Sequence, residues 1–208
     1  MDAIATLGAV LGLGFVSGIR LYSTILAVGL GIRFGFLDVP DALSHLDVLA
    51  STPVLAVAAT VYAVEFVADK IPIVDSVWDM VHTFIRPVGA AIVGGTAVGP
   101  VDPGIRLAIA LACGFVALSS HGAKATTRVA VNHSPEPFSN AGISLAEDGL
   151  VIGLVWLAIE HPIITLVVVL VAVALCVWLV VTLFRMVQRF VGSLLRPETN
   201  PPAPPGAP

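Results

Sequence analysis

The chain has 208 residues, of which 57% are hydrophobic and only 12% charged, and its mean hydropathy is +1.00; soluble globular domains carry roughly 25% charged residues. Fourteen Asp and Glu against ten Lys and Arg give a formal charge of −4, which removes the basic footprint that nucleic-acid binding needs. The composition is that of an integral membrane protein whose first partner is the lipid bilayer, and the expected fold is all-α and polytopic.

No Lys or Arg precedes Arg20, so the basic start of a cleaved signal peptide is missing and residue 1 onward is expected to be mature protein. Cutting the chain at its polar and proline clusters leaves six apolar stretches, at 3–34, 52–68, 84–99, 105–132, 141–160 and 162–184. A spanning helix needs about 20 apolar residues, so about six transmembrane segments are expected within one domain, 1–196, with halves at 3–100 and 105–185. Cys113 and Cys176 sit inside apolar runs and read as small hydrophobes. Beyond Pro197 the chain reads PETNPPAPPGAP, a disordered, solvated tail over 197–208.

Arg185, Arg189 and Arg196 follow the last stretch and place the C-terminus in the cytoplasm by the positive-inside rule. Six crossings then return the N-terminus to that side, in a multi-pass protein of the bacterial cytoplasmic (inner) membrane. The connection 36–51 carries Asp38, Asp41 and Asp47 without Lys or Arg, as an outer loop should, whereas Lys70, Arg86 and Arg128 fall inside.

Two stretches are too long for single crossings. As unbroken helices 3–34 and 105–132 would measure about 48 Å and about 42 Å. Both carry a polar interruption of one pattern: Gly18, Arg20 and Ser23 in the first, Gly122, Lys124 and Thr127 in the second, at a constant offset. Two interrupted spans, one in each half, suggest a 3+3 inverted repeat of the transporter kind, or parallel units if each stretch dips in and returns. Arg20 and Lys124 are costly inside hydrocarbon and are expected to face a protein interior, with Arg128 nearby. Half-helix N–H groups beside them would favour an anion.

Further acids can answer those cations. Glu65 and Asp69 lie one helical turn apart, and Glu147-Asp148, in an apolar segment, are expected to pair internally with one of the few cations. Asp75, Asp79, His82 and Arg86 form one stripe of an amphipathic helix over 73–86. That helix either lies flat on the membrane surface or turns its stripe inward, where Asp75, Asp79 and His82 are weak candidates for a divalent metal. Arg86-Pro87 is expected to close it, and Gly89, Gly94, Gly95 and Gly99 thin the next span for close packing. Around Glu136, Pro135 and Pro137 forbid a continuing helix; Asn132, Glu136, Ser139 and Asn140 form either a plain loop or a cavity mouth.

Five motifs in order, Ser17-Gly18-Ile19-Arg20-Leu21-Tyr22, Ala68-Asp69-Lys70-Ile71-Pro72, Trp78-Asp79 with His82-Thr83 and Arg86-Pro87, His121-Gly122-Ala123-Lys124-Ala125, and Ser134-Pro135-Glu136-Pro137, resemble the bacterial membrane-protein family labelled domain of unknown function 4126. The resemblance covers approximately residues 5–185. It implies a polytopic helical membrane protein and supplies no activity or functional residue.

From the residues, the leading expectation is a small transporter or channel-like protein for an anionic or anion-headed solute. Gly18, Arg20, Ser23, Gly122, Lys124, Thr127 and Arg128 would bind it, and Glu65, Asp69 and Glu136 would couple or gate. No catalytic residue and no cofactor is expected on this reading. The alternatives are a metal-dependent enzyme on a lipid phosphate, using His82 or His121 with Asp75 and Asp79, and a non-catalytic scaffold or accessory subunit. A homo-oligomer stays open.

Overall fold

The computed structural model describes residues 2–132 and 137–194, and among them every regular element is helical. In chain order these are α1 (Ala3–Ile19), α2 (Leu21–Arg33), a 3-10 segment (Asp41–Ala50), α3 (Thr52–Ala68), α4 (Pro72–Ala97), α5 (Pro103–Asn132), α6 (Pro137–Glu160) and α7 (Pro162–Leu194). The last four each begin on a proline, which fits a first turn because its missing N–H has no acceptor there anyway. Stretches of three helices, Pro103–Arg128, Gly142–Glu160 and Pro162–Arg189, are long and apolar enough to cross a bilayer, and the pair Asp41–Ala50 plus Thr52–Ala68 reaches that length only with a 67° bend.

Large apolar side chains cover much of the surface, and beside an apolar core the interior holds a cluster of charged groups, which a soluble protein would leave outside. Ile73, Phe84 and Trp178 point outward, while Arg20, Arg86 and Glu65 are fully buried. Burying such groups while exposing Ile and Phe is favourable only where the surrounding solvent is lipid.

Close contacts fix the helix directions. Cys113 packs at Gly14, Ser120 donates to the Phe15 carbonyl, and Lys124 donates to that of Ile19, so α1 and α5 run parallel. Val10 meets Gly94 and the Gly18 carbonyl meets Arg86, so α4 runs against α1. Along α2, Leu21 touches Gly89 and Ile25 shares a groove with Ile92 and Val93. Thus α2 descends beside α4, and α1 and α2 form a hairpin with Arg20 at its tip.

These directions decide four expectations. Stretch 3–34 is interrupted at Arg20 as expected, and of the two courses open to it takes the one that returns, as two antiparallel helices of 17 and 13 residues, about 25 Å and about 20 Å long. Stretch 105–132 is not interrupted. Helix α5 runs unbroken through Gly122: the Thr126 and Thr127 hydroxyls are taken up by the carbonyls of Gly122 and Ala123 in their own helix, and Lys124 finds partners without a break. The parallel course of α1 and α5 is not that of an inverted repeat, which would reverse one of them. Finally, α7 runs parallel to α1, with Pro162 at Gly8 and Val180 at Gly122, so the start of α1 and the end of α7 lie at opposite ends of the bundle. The two-way hairpin adds the reversal that a count of six omitted.

Helix α4 also differs: it continues for 26 residues through Pro87 and joins the amphipathic segment to the next apolar stretch. In a packed bundle neighbouring helices compensate the lost backbone bond.

Small residues set the α1–α5 distance. A Cβ on Gly18 would collide with the Ala117 carbonyl and Ser120 Oγ. Gly18→Ala is therefore expected to cost about 1–3 kcal/mol, seen as a lower melting temperature in detergent; an unchanged midpoint would contradict this contact.

Candidate functional site

Arg20 occupies extended backbone, φ −150° and ψ 96°, between α1 and α2. The break leaves few orphans, because its N–H reaches the Val16 carbonyl and its own carbonyl accepts from Thr24 N and Oγ1. What the break achieves is to swing a guanidinium into the bundle. Nε meets Glu147 Oε2 at 3.1 Å, Nη1 meets Asp148 Oδ1 at 3.1 Å, and Nη2 meets Ser144 Oγ at 2.7 Å and also Asp69.

Helix α5 presents two more cations to the same place, one turn apart. Lys124 Nζ is 3.2 Å from Glu147 Oε2. Arg128 binds Glu147 with two nitrogens, Nε to Oε1 at 3.1 Å and Nη2 to Oε2 at 3.0 Å, and lies 3.5 Å from Asp69. Glu147 thus receives three cations at once. Its neighbour Asp148 accepts from Ser23 Oγ at 3.2 Å and from the Tyr62 hydroxyl at 2.9 Å.

A second cluster lies next to the first, around Arg86 on α4. Its Nη2 donates to Glu65 Oε1 at 2.6 Å, and its Nη1 is 3.2 Å from Asp79 Oδ1 and 2.7 Å from His121 Nδ1. A guanidinium only donates, so His121 Nδ1 must be a bare acceptor, and Nε2 carries the proton toward the Asp79 carbonyl and Thr83 Oγ1, each 3.1 Å away. His82 has the opposite tautomer: its Nδ1 lies 2.8 Å from the Trp78 carbonyl, which can only accept. Its ring stacks on Trp78, centroids 4.5 Å apart, and meets the edge of Tyr22.

Counted together, Arg20, Arg86, Lys124 and Arg128 face Glu65, Asp69, Asp75, Asp79, Glu147 and Asp148, which is 4 − 6 = −2 with neutral histidines. Among the described residues, Glu65 Oε2, Asp69 Oδ1, both Asp79 oxygens and His82 Nε2 are buried without a hydrogen-bond partner. Such atoms are costly in a dry interior.

Most residues singled out from the sequence converge here: Arg20, Ser23, Glu65, Asp69, Lys124 and Arg128, with Gly18 lending a carbonyl to Arg86. Thr127 does not, being exposed and bonded to its own helix, and Gly122 packs toward Val180 of α7. Glu136 lies outside the described residues, as do the side chains of Asn132, Ser139 and Asn140. The stripe Asp75, Asp79, His82 and Arg86 is buried, so α4 does not lie flat on a surface. Its first three members do not converge either, and among the described residues no three His, Cys, Asp or Glu side chains gather as a metal site. Ser144 and Tyr62 were invisible in the sequence, and Glu147 and Asp148 were legible only as paired acids in an apolar segment.

A family model described as domain of unknown function (DUF4126) matches residues 7–182. No curated protein and no solved structure shows a match to the chain.

Proposed function

We propose that this chain, which belongs to the DUF4126 family, is a small transporter or channel-like protein for an anionic or anion-headed solute. The observation that carries the reading is the convergence of Arg20, Lys124 and Arg128 on the single carboxylate of Glu147. Three cations around one carboxylate make an anion site that the protein itself occupies. A solute carboxylate or phosphate offers anionic acceptor oxygens to the same donors and displaces Glu147 by competing for them. Glu147 and Asp148 are also the most accessible members, their side chains 13% and 14% exposed against 0% for Arg20, so exchange begins on their side. Ser23 contributes its hydroxyl, and Glu65, Asp69 and Glu136 act as coupling or gating carboxylates.

Arg185 and Arg189 favour a cytoplasmic location for the end of the bundle that α7 reaches, in an inner membrane. The cluster lies toward that end, at the level of Val180. On this orientation the solute enters from the cytoplasmic side and the start of α1 lies opposite.

The test is thermal denaturation of the detergent-purified protein with inorganic phosphate, sulfate, acetate or phosphatidic acid, for wild type and Lys124→Ala. Lys124 is the cation of choice because it has fewer partners than Arg20, so the variant keeps its fold. A binding anion should add about 2.7 kcal/mol to wild type at a hundredfold excess over its Kd and nothing to Lys124→Ala. Protection by none of these anions, or equal protection of both proteins, would sink the reading in favour of a scaffold.

A further inference from the structure

We propose that His82 is a proton-binding site, its Nε2 taking the proton that couples the transport just described; the coupling role rests on that reading. The assignment begins with the tautomer. Nδ1 holds its hydrogen against the Trp78 carbonyl at 2.8 Å, so in the neutral ring Nε2 carries the lone pair. That nitrogen is buried without a partner among the described residues, in a side chain 2% exposed. A buried acceptor with no donor is a place where a donor or a proton is missing.

The local charge says which. Glu65 and Asp79 oppose a single cation, Arg86, and three of their four carboxylate oxygens have no hydrogen-bond partner among the described residues. One added proton brings this sub-cluster from −1 to zero. His121, the other imidazole, is closed to it because Arg86 donates to its Nδ1 at 2.7 Å. Every group packed about His82 bears on its titration. Asp79 and Arg86 come from its own helix, Tyr22 from α2 and Glu65 from α3, while on α5 His121 meets Arg86 and Asp79, and Lys124 lies within electrostatic reach of the same two groups. On α1 the Gly18 carbonyl faces Arg86. In the step, hydronium gives its proton to the Nε2 lone pair, an N–H bond forms, and water leaves. The imidazolium then lies near two carboxylates.

Arg86 gives this proton a route to the anion site. It bridges Glu65 and Asp79 to the Gly18 carbonyl, two residues before the break that holds Arg20. A proton on His82 competes with Arg86 for the two carboxylates and loosens that bridge.

The test is solid-state NMR of the full chain, labelled with nitrogen-15 histidine, in lipid bilayers, with His82→Gln assigning the signal. At neutral pH His82 should show the Nδ1–H tautomer and His121 the Nε2–H tautomer. Acidification from about pH 8 to about pH 5 should convert His82 alone to the doubly protonated form. Asp79→Asn, or Glu65→Gln if that variant fails to fold, should lower the midpoint by about one pH unit. An Nε2–H tautomer at His82, no conversion across the range, or an unmoved midpoint in the carboxylate variant would overturn the proposal, whatever anions do. A titrating His82 in a protein that phosphate, sulfate, acetate and phosphatidic acid all fail to stabilise would instead overturn the transport reading and leave the proton site standing.

Discussion

Arg20→Ala is expected to destabilise the folded protein by about 3–5 kcal/mol. The guanidinium is fully buried and meets Asp69, Ser144, Glu147 and Asp148, contacts that tie the α1–α2 hairpin to α3 and α6. Its removal leaves three carboxylates with Lys124 and Arg128 as their only cations among the described residues, in a medium that solvates charge poorly. Arg20→Lys should recover little, because one ammonium cannot span partners that a planar fork reaches in several directions. Recovery of monodisperse protein and the detergent melting temperature report the effect. Near-wild-type stability in Arg20→Ala would mean that the three acids are already protonated.

Arg86→Ala should cost a similar amount, about 3–5 kcal/mol, for a different set of contacts. Glu65 and Asp79 would lose their cation, and His121 the donor that fixes its tautomer. The informative comparison is the double variant Arg86→Met with Glu65→Gln, which removes a charge of each sign. Since neutral replacement of a buried ion pair is often close to harmless, it should regain most of the loss, a coupling of about 1–3 kcal/mol in a double-mutant cycle. Additive losses would show that Arg86 acts through packing alone. Lys124→Ala stands apart: with fewer partners, it should lose ligand protection before it loses its fold.

Much of this was legible in the sequence because a bilayer imposes simple rules. Twenty-odd apolar residues make a crossing, and a charge inside one must be turned inward; those rules marked α7, the buried Arg20 and Lys124, and the acids at Glu65 and Asp69. The inward stripe of α4 was readable as a stripe, since its spacing is helical, but its direction was not. Periodicity gives a face and says nothing of whether that face meets water or another helix.

What the sequence by itself determined is therefore the class of protein, the helical content and which charges must be sheltered, because each follows from the cost of placing a group in hydrocarbon. Only the tertiary structure decided the partners and the directions. The Gly18 and Gly122 motifs look alike in a one-dimensional reading, yet one breaks its helix and the other does not. The break at Arg20 brings its side chain within reach of acids on α3 and α6, whereas Lys124 reaches Glu147 and the Ile19 carbonyl from an intact turn. Pairing depends on which helices become neighbours, and that is settled by the small-residue contacts of α1 with α5 and α7, spread over positions far apart in the chain.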